Sequence, residues 1–335
     1  MRRNRAIIVV FLALLVYSFP ASGQPLVEEA KKEKKVMLYG TPPITMMTTF
    51  LNAFRNKFPF IEVDYYRAGA EALAQKILTE VRGGRHLADA YYINGSQVMM
   101  LDQQGLLERY ESPQRAFIRG IYKDKRGHWA GIYANLEVIG YNKSQVAPRD
   151  LPRTYEDLLH PKWKGKMGLD QGDIEWYITV LHLMGEERGR RFMREFANQD
   201  VQIRKGHTLL GHLLAAGEFS LLPTLRTFTA DELMAKGAPI DWVAIQPVIP
   251  NPPMSIALPK SAPHPHASRL FIDYILSREG QEVLVALGRT TSRIDVAPKS
   301  ERVRNLKIGE IDWPLYFKSY RRYEDDFGET FLKRK

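Results

Sequence analysis

The side chains with the most chemical potential in this sequence stand at breaks between apolar runs. Arg67 and Arg226 each follow a strand-like stretch, and a guanidinium there can grip a carboxylate or phosphate through paired N–H donors. Asp170, Asp173 and Glu175 crowd the start of a helical pattern. Three carboxylates disfavour a phosphate and suit an amine or a metal; alternatively they only complement the positive end of the helix. Thr41 either donates to a ligand oxygen or caps the helix that follows it. Asn94 and Ser96 follow the third strand-like run, where their side chains would meet a ligand. His207 and Thr208 open another helix, and Phe228 stands two residues beyond Arg226.

Other chemistry is excluded. There is no HExxH, GxSxG, P-loop or GxGxxG pattern. His207 and His212 are five apart, which does not put them on one helix face, and His264 and His266 read as a solvated loop pair, so no metal site is expected. The chain has no cysteine, which removes thiol nucleophiles, thiolate metal sites and thiol-linked cofactors. No catalytic residue and no cofactor are expected, and the chain reads as a binder rather than an enzyme.

These residues need elements to hold them. Lys35 to Tyr39 is a short apolar run, broken at Gly40-Thr41-Pro42-Pro43. Met47, Phe50, Leu51, Phe54 and Phe58 then recur at helical spacing until Pro59, which cannot continue a helix. Residues 61–66 alternate like a strand, Leu73, Ile77 and Val81 form a second helical stripe closed by Gly83-Gly84, and residues 88–93 make a third strand. Strands joined by helices are parallel with right-handed crossovers. Their breaks therefore share the carboxyl edge of one sheet, where open α/β sheets bind ligands. Residues 128–142 read as two strands that first cross into a second lobe, and alternation of strands and helices resumes to residue 245. Residues 254–258 read as the return crossing. The expected architecture is two α/β lobes closing on a ligand by a hinge. The first lobe takes residues 24–133 and 254–300, the second takes 134–253, and an aromatic tail, 301–335, packs as a helix on the second.

Of the 335 residues, 44% are hydrophobic and 26% charged, a globular composition large enough for two domains. Arg2, Arg3 and Arg5 precede an apolar stretch, residues 6–19, and Ala21-Ser22-Gly23 offers small residues for cleavage after Gly23. That apolar stretch is shorter than the ~20 residues that span a bilayer, so export with cleavage is expected, into the periplasm. The formal charge of +10 is scattered along the chain. It reads as a solvated surface rather than a nucleic-acid footprint. The lysines at 31, 32, 34 and 35 read as a charged lead-in to the first strand.

Taken together, these features resemble the periplasmic solute-binding proteins of ABC importers, in the branch with ferric-iron-, thiamine-, phosphonate- and sugar-phosphate-binding members. The resemblance is carried by Val36-Met37-Leu38-Tyr39-Gly40, Ala88-Asp89-Ala90-Tyr91-Tyr92, Val138-Ile139-Gly140-Tyr141-Asn142 and Pro161-Lys162-Trp163-Lys164-Gly165-Lys166. The longest stretch is residues 267–281, Ala-Ser-Arg-Leu-Phe-Ile-Asp-Tyr-Ile-Leu-Ser-Arg-Glu-Gly-Gln. It implies the two-lobed periplasmic binding fold (type II), a solute in the interlobe cleft, a monomer, and delivery to an ABC permease in the inner membrane. Ferric-binding members place a histidine in the first loop, a glutamate after the third strand and adjacent tyrosines late in the second lobe. Here those places read Pro42-Pro43, Asn94 and Arg226-Thr227-Phe228, which disfavours bare ferric iron and leaves an iron chelate open. Arg67 and Arg226 imply an acidic group on the solute, and Asp170 to Glu175 a cationic one, so a zwitterion is the expectation. A sensor that engages a receptor, and a transferase on the same fold, are the alternatives.

Overall fold

The computed structural model describes residues 24–333; the expected signal peptide and its cleavage point lie outside the described residues. The chain starts with α1 (Gln24–Glu33), β1 (Lys35–Gly40), α2 (Ile44–Lys57), β2 (Glu62–Arg67), α3 (Ala70–Arg82), β3 (Ala90–Ile93), α4 (Gly95–Gln103), β4 (Leu107–Glu108) and β5 (Trp129–Tyr133). It then crosses to β6 (Leu136–Asn142), β7 (Gly168–Asp170), α5 (Ile174–Met184), α6 (Glu186–Ala197), β8 (Gln202–Arg204), α7 (His207–Ala216), β9 (Leu221–Arg226), α8 (Thr227–Ala235), β10 (Ile240–Val243) and β11 (Ile249–Pro250). It returns as β12 (Met254–Pro259), α9 (Pro265–Leu276) and α10 (Arg278–Ala286), and ends in a tail of α11 (Glu301–Arg304), α12 (Trp313–Phe317) and α13 (Tyr320–Phe327).

Each lobe follows one rule. In the first, β1 pairs in parallel with β2 and β3 through helical crossovers. In the second, β7 and β8 are parallel, and a parallel bridge from Met167 to Leu221 joins them to β9. Each sheet then receives one strand that arrives from the other lobe and runs opposite. β12 is antiparallel to β3, β4 and β5, and β6 is antiparallel to β9, β10 and β11. A strand that enters without a helical crossover has no reason to run parallel.

The helical stripes read from sequence are buried. Met47, Phe50 and Phe54 of α2 are closed to solvent, and Phe50 and Phe54 meet Phe271 and Tyr274 of α9 edge-on or tilted at 5.0–6.2 Å. Each such side chain contributes about 1.5–3 kcal/mol relative to exposure. Trp176 and Tyr177 are also core residues, 0% and 2% exposed.

Two expectations change. The lysine-rich lead-in is a helix, α1, whose Leu26, Val27 and Ala30 pack on the first lobe's core. Glu33 ends it by accepting from the Ala267 N–H at 2.7 Å and facing His266 Nδ1 at 2.8 Å, which satisfies the open start of α9. The tail is shared between lobes and broken into short helices. Val303 lies in a second-lobe cluster, Ile311 and Trp313 in a first-lobe cluster with Val98, Leu101 and Trp129, and Tyr323, Phe327 and Phe331 in the second lobe again. Tyr316 touches the clusters of both.

Candidate functional site

The carboxyl ends of β1, β2 and β3 in one lobe and of β7, β8 and β9 in the other supply most of the predicted site residues. On the first lobe the structure joins two of them directly: the Thr41 hydroxyl donates to Asn94 Oδ1 at 3.0 Å, while the Thr41 N–H donates to the Tyr92 carbonyl at 3.1 Å. Thr41 therefore caps neighbouring strand ends rather than α2, whose N-cap is Pro43. The Ser96 hydroxyl donates to Gln97 Oε1 and is occupied locally. Arg67 is exposed at the end of β2.

The second lobe concentrates the charge. β6 and β9 pair so that Glu137 stands opposite Arg226. Glu137 is 3% exposed. Its Oε1 accepts from the Asn251 amide at 2.8 Å, and its Oε2 has no partner. Burial pushes its carboxyl up to about 7, against the pull of Arg226. Asp173, at the start of α5, is also buried. Burial raises it well above the ordinary carboxylate range, and the nearby Glu137 charge adds to the effect. Half-buried Glu175 is raised by burial as well.

Asp170 differs from these. Its Oδ1 accepts from the Gly172 N–H at 2.8 Å and its Oδ2 from the Gly206 N–H, so it fastens two loops. One oxygen of Asp173, Oδ2, accepts from the Asp170 N–H at 3.1 Å, and the other, Oδ1, lies 3.4 Å from His207 Nε2. Ligand atoms of Asp170, Asp173 and His207 all lie within 4.8 Å of one another. Histidine spacing could not reveal this grouping, because the partners are aspartates at the end of another strand. Burial and the Arg226 charge push the His207 imidazole down to about 2, which keeps it neutral.

Arg226, at the end of β9, has a buried Nε with no partner and makes no ion pair among the described residues. Phe228 explains why a second arginine matters. The Arg289 guanidinium, from the segment after α10 in the first lobe, lies 4.4 Å from the Phe228 ring centroid and 5.3 Å from that of Tyr133. Its Nε is likewise buried and unpartnered. Arg289 and Arg226 both lower the pKa of the Tyr133 hydroxyl against the larger effect of burial, so both charges reach one spot near the crossing. Nothing local in the sequence marks Arg289, Glu137, Thr224 or Asn251 as site residues; only the pairing of distant strands assembles them. Thr208 is exposed beside His207. A separate hollow of about 800 Å³, lined by Met99, Trp129, Ile311 and Lys318 among others, touches none of these residues.

The arrangement is therefore two-sided. Unpartnered guanidinium donors from both lobes face the crossing. Beside them lies a floor with unpartnered acceptors, Glu137 Oε2 and Asn251 Oδ1, and the buried Thr224 hydroxyl next to Asp173. It is suited to holding a polar molecule.

Residues 88–309 match the family described as bacterial extracellular solute-binding protein. The Fe(3+)-binding periplasmic protein of Serratia marcescens is 21% identical over 303 residues, 85% of this chain and 87% of that one. A Trichodesmium protein (IdiA, FutA) solved with iron and citrate superposes with a TM-score of 0.78 at 18% identity, covering 89% of this chain and 100% of that one. The periplasmic binding protein AfuA of Actinobacillus pleuropneumoniae, solved with fructose-6-phosphate, gives 0.74 at 19% identity, covering 90% and 99%. At such identities the structural likeness establishes the two-lobed fold.

Proposed function

Because this chain belongs to the bacterial extracellular solute-binding protein family, we propose that it captures a small polar solute in the periplasm and hands it to an ABC permease. The family is one of solute-binding proteins rather than enzymes. The observation that carries the finer reading is the pair Arg226 and Arg289, from opposite lobes, each with a buried Nε lacking a partner. A buried donor left unpaired costs about 1–3 kcal/mol, more when charged, and an acidic group on the solute relieves both at once. Because the arginines belong to different lobes, the same group stabilises the closed state. Arg67, Thr41, Asn94 and Ser96 form the outer rim in this reading.

The test is binding to protein stripped of ligand by unfolding and refolding. A carboxylate or phosphate ligand at 100 times its dissociation constant adds about 2.7 kcal/mol of stability. Arg226→Ala or Arg289→Ala weakens such a ligand by about 10- to 100-fold, the size of a charge-assisted hydrogen bond. Wild-type affinity in both variants would sink the arginine grip.

One observation favours a second reading. Asp170, Asp173 and His207 bring a carboxylate–imidazole set together, and a relative is a ferric-binding protein. Carboxylate oxygens are hard donors that suit trivalent iron, so iron, bare or as a chelate, is the second candidate cargo. Titration with ferric citrate and with citrate alone distinguishes it from the first.

A further inference from the structure

The unpartnered groups in the cleft are not all donors. Glu137 and Asn251 are each at least nine-tenths buried, and each keeps one acceptor oxygen without a partner. Asp173 is equally buried, with the His207 ring 3.4 Å from its Oδ1 and the Thr224 hydroxyl beside it. Glu137 and Asp173 are electrostatic neighbours, and each also feels Arg226. Around this point stand four carboxyl groups (Glu137, Asp170, Asp173 and Glu175) against one guanidinium. A buried patch with that imbalance lacks positive charge.

We infer that the floor of the second lobe receives the protonated nitrogen of the solute, at Glu137, Asp173 and Asn251, while Arg226 and Arg289 hold its acidic end. The solute is then a zwitterion, an amino acid or aminoalkyl phosphate in chemical class. An ammonium offers three N–H donors and no acceptor, which suits the two unpartnered acceptor oxygens of Glu137 and Asn251. A metal ion fits less well. Both oxygens of Asp170 and one of Asp173 already accept backbone N–H groups, leaving too few free ligands for a closed coordination shell.

This inference rests on the solute-binding reading above, and its test separates the two. The refolded protein is screened by thermal shift and then calorimetry against four matched sets. These are ω-amino acids and aminoalkyl phosphates; the same acids without nitrogen; the same amines without the acid; and Mn²⁺, Zn²⁺ and ferric citrate. The expected result is that a zwitterion binds tightest and that losing its nitrogen weakens it by about 10- to 100-fold. Glu137→Gln, or Asp173→Asn should that variant fold better, weakens the zwitterion by a similar factor. Neither weakens the nitrogen-free acid. An acid that binds as tightly without nitrogen, and indifferently to Glu137→Gln, overturns the inference while leaving the arginine grip intact. Stabilisation by ferric citrate alone overturns it in favour of iron, and stabilisation by Mn²⁺ or Zn²⁺ alone overturns it in favour of a divalent metal. Silence from every set overturns both readings.

Discussion

Glu137 is the residue on which the electrostatics of the cleft turn. Its folded-state pKa, about 7, lies above the ordinary 4.5, so the folded protein holds a proton that the unfolded chain releases more readily. Its stabilisation is complete below about pH 4.5 and is lost as pH rises through 7. A shift of this size corresponds to on the order of 3 kcal/mol. Glu137→Gln, which cannot ionise, is therefore expected to gain on the wild type between pH 5 and pH 8 in denaturant titrations without ligand. Parallel stability profiles would show that the carboxyl ionises freely. Sequence exposed part of this site. Asp173, His207 and Arg226 stand out as polar residues at strand ends, and the fold gathers them. Glu137 lies inside a strand, amid Leu136 and Val138, where alternation sends it to a face that only β9 and Asn251 make polar. Arg289 follows a helix end and looks like surface until Phe228 of the other lobe meets it.

At the scale of elements, the βαβαβ opening was legible because each signal is local: an apolar run, a stripe at helical spacing, a breaker. β1 to α4 follow that order. α1 was not legible, since lysines and glutamates dominate it and only Leu26, Val27 and Ala30 give it an apolar face. Its helical state depends on α9, which lies far along the chain. The dependence is mutual through Glu33, which accepts the N–H of Ala267 and faces His266 at the start of α9. Removing such a cap costs about 1 kcal/mol. Glu33→Ala is expected to lower the urea midpoint by that equivalent without changing the slope of the transition. Glu33→Gln should recover part of the loss, because its amide oxygen still accepts. Equal midpoints for all three proteins would make α1 a passive appendage.

For the whole molecule, the tail decides how freely the lobes move. Besides the two strand crossings, residues 301–332 touch the second lobe, then the first, then the second again. Trp313, 1% exposed, is the anchor on the first lobe. Trp313→Ala is expected to cost about 3–5 kcal/mol and to widen the ligand-free protein in small-angle scattering. An unchanged scattering profile in a destabilised variant would show that the strands alone set the opening. Sequence signalled the tail's aromatic character but not its division, since identical ring types serve both lobes. The place of β12 has a temporal consequence. It is the last strand of its sheet to be synthesised, yet it lies inside, between β3 and β4, and also carries β5. The contiguous second lobe can form its core before the first lobe closes its sheet. Until β12 arrives the β3 edge is bare, the kind of edge that invites mispairing, so the first lobe is the later half to be completed.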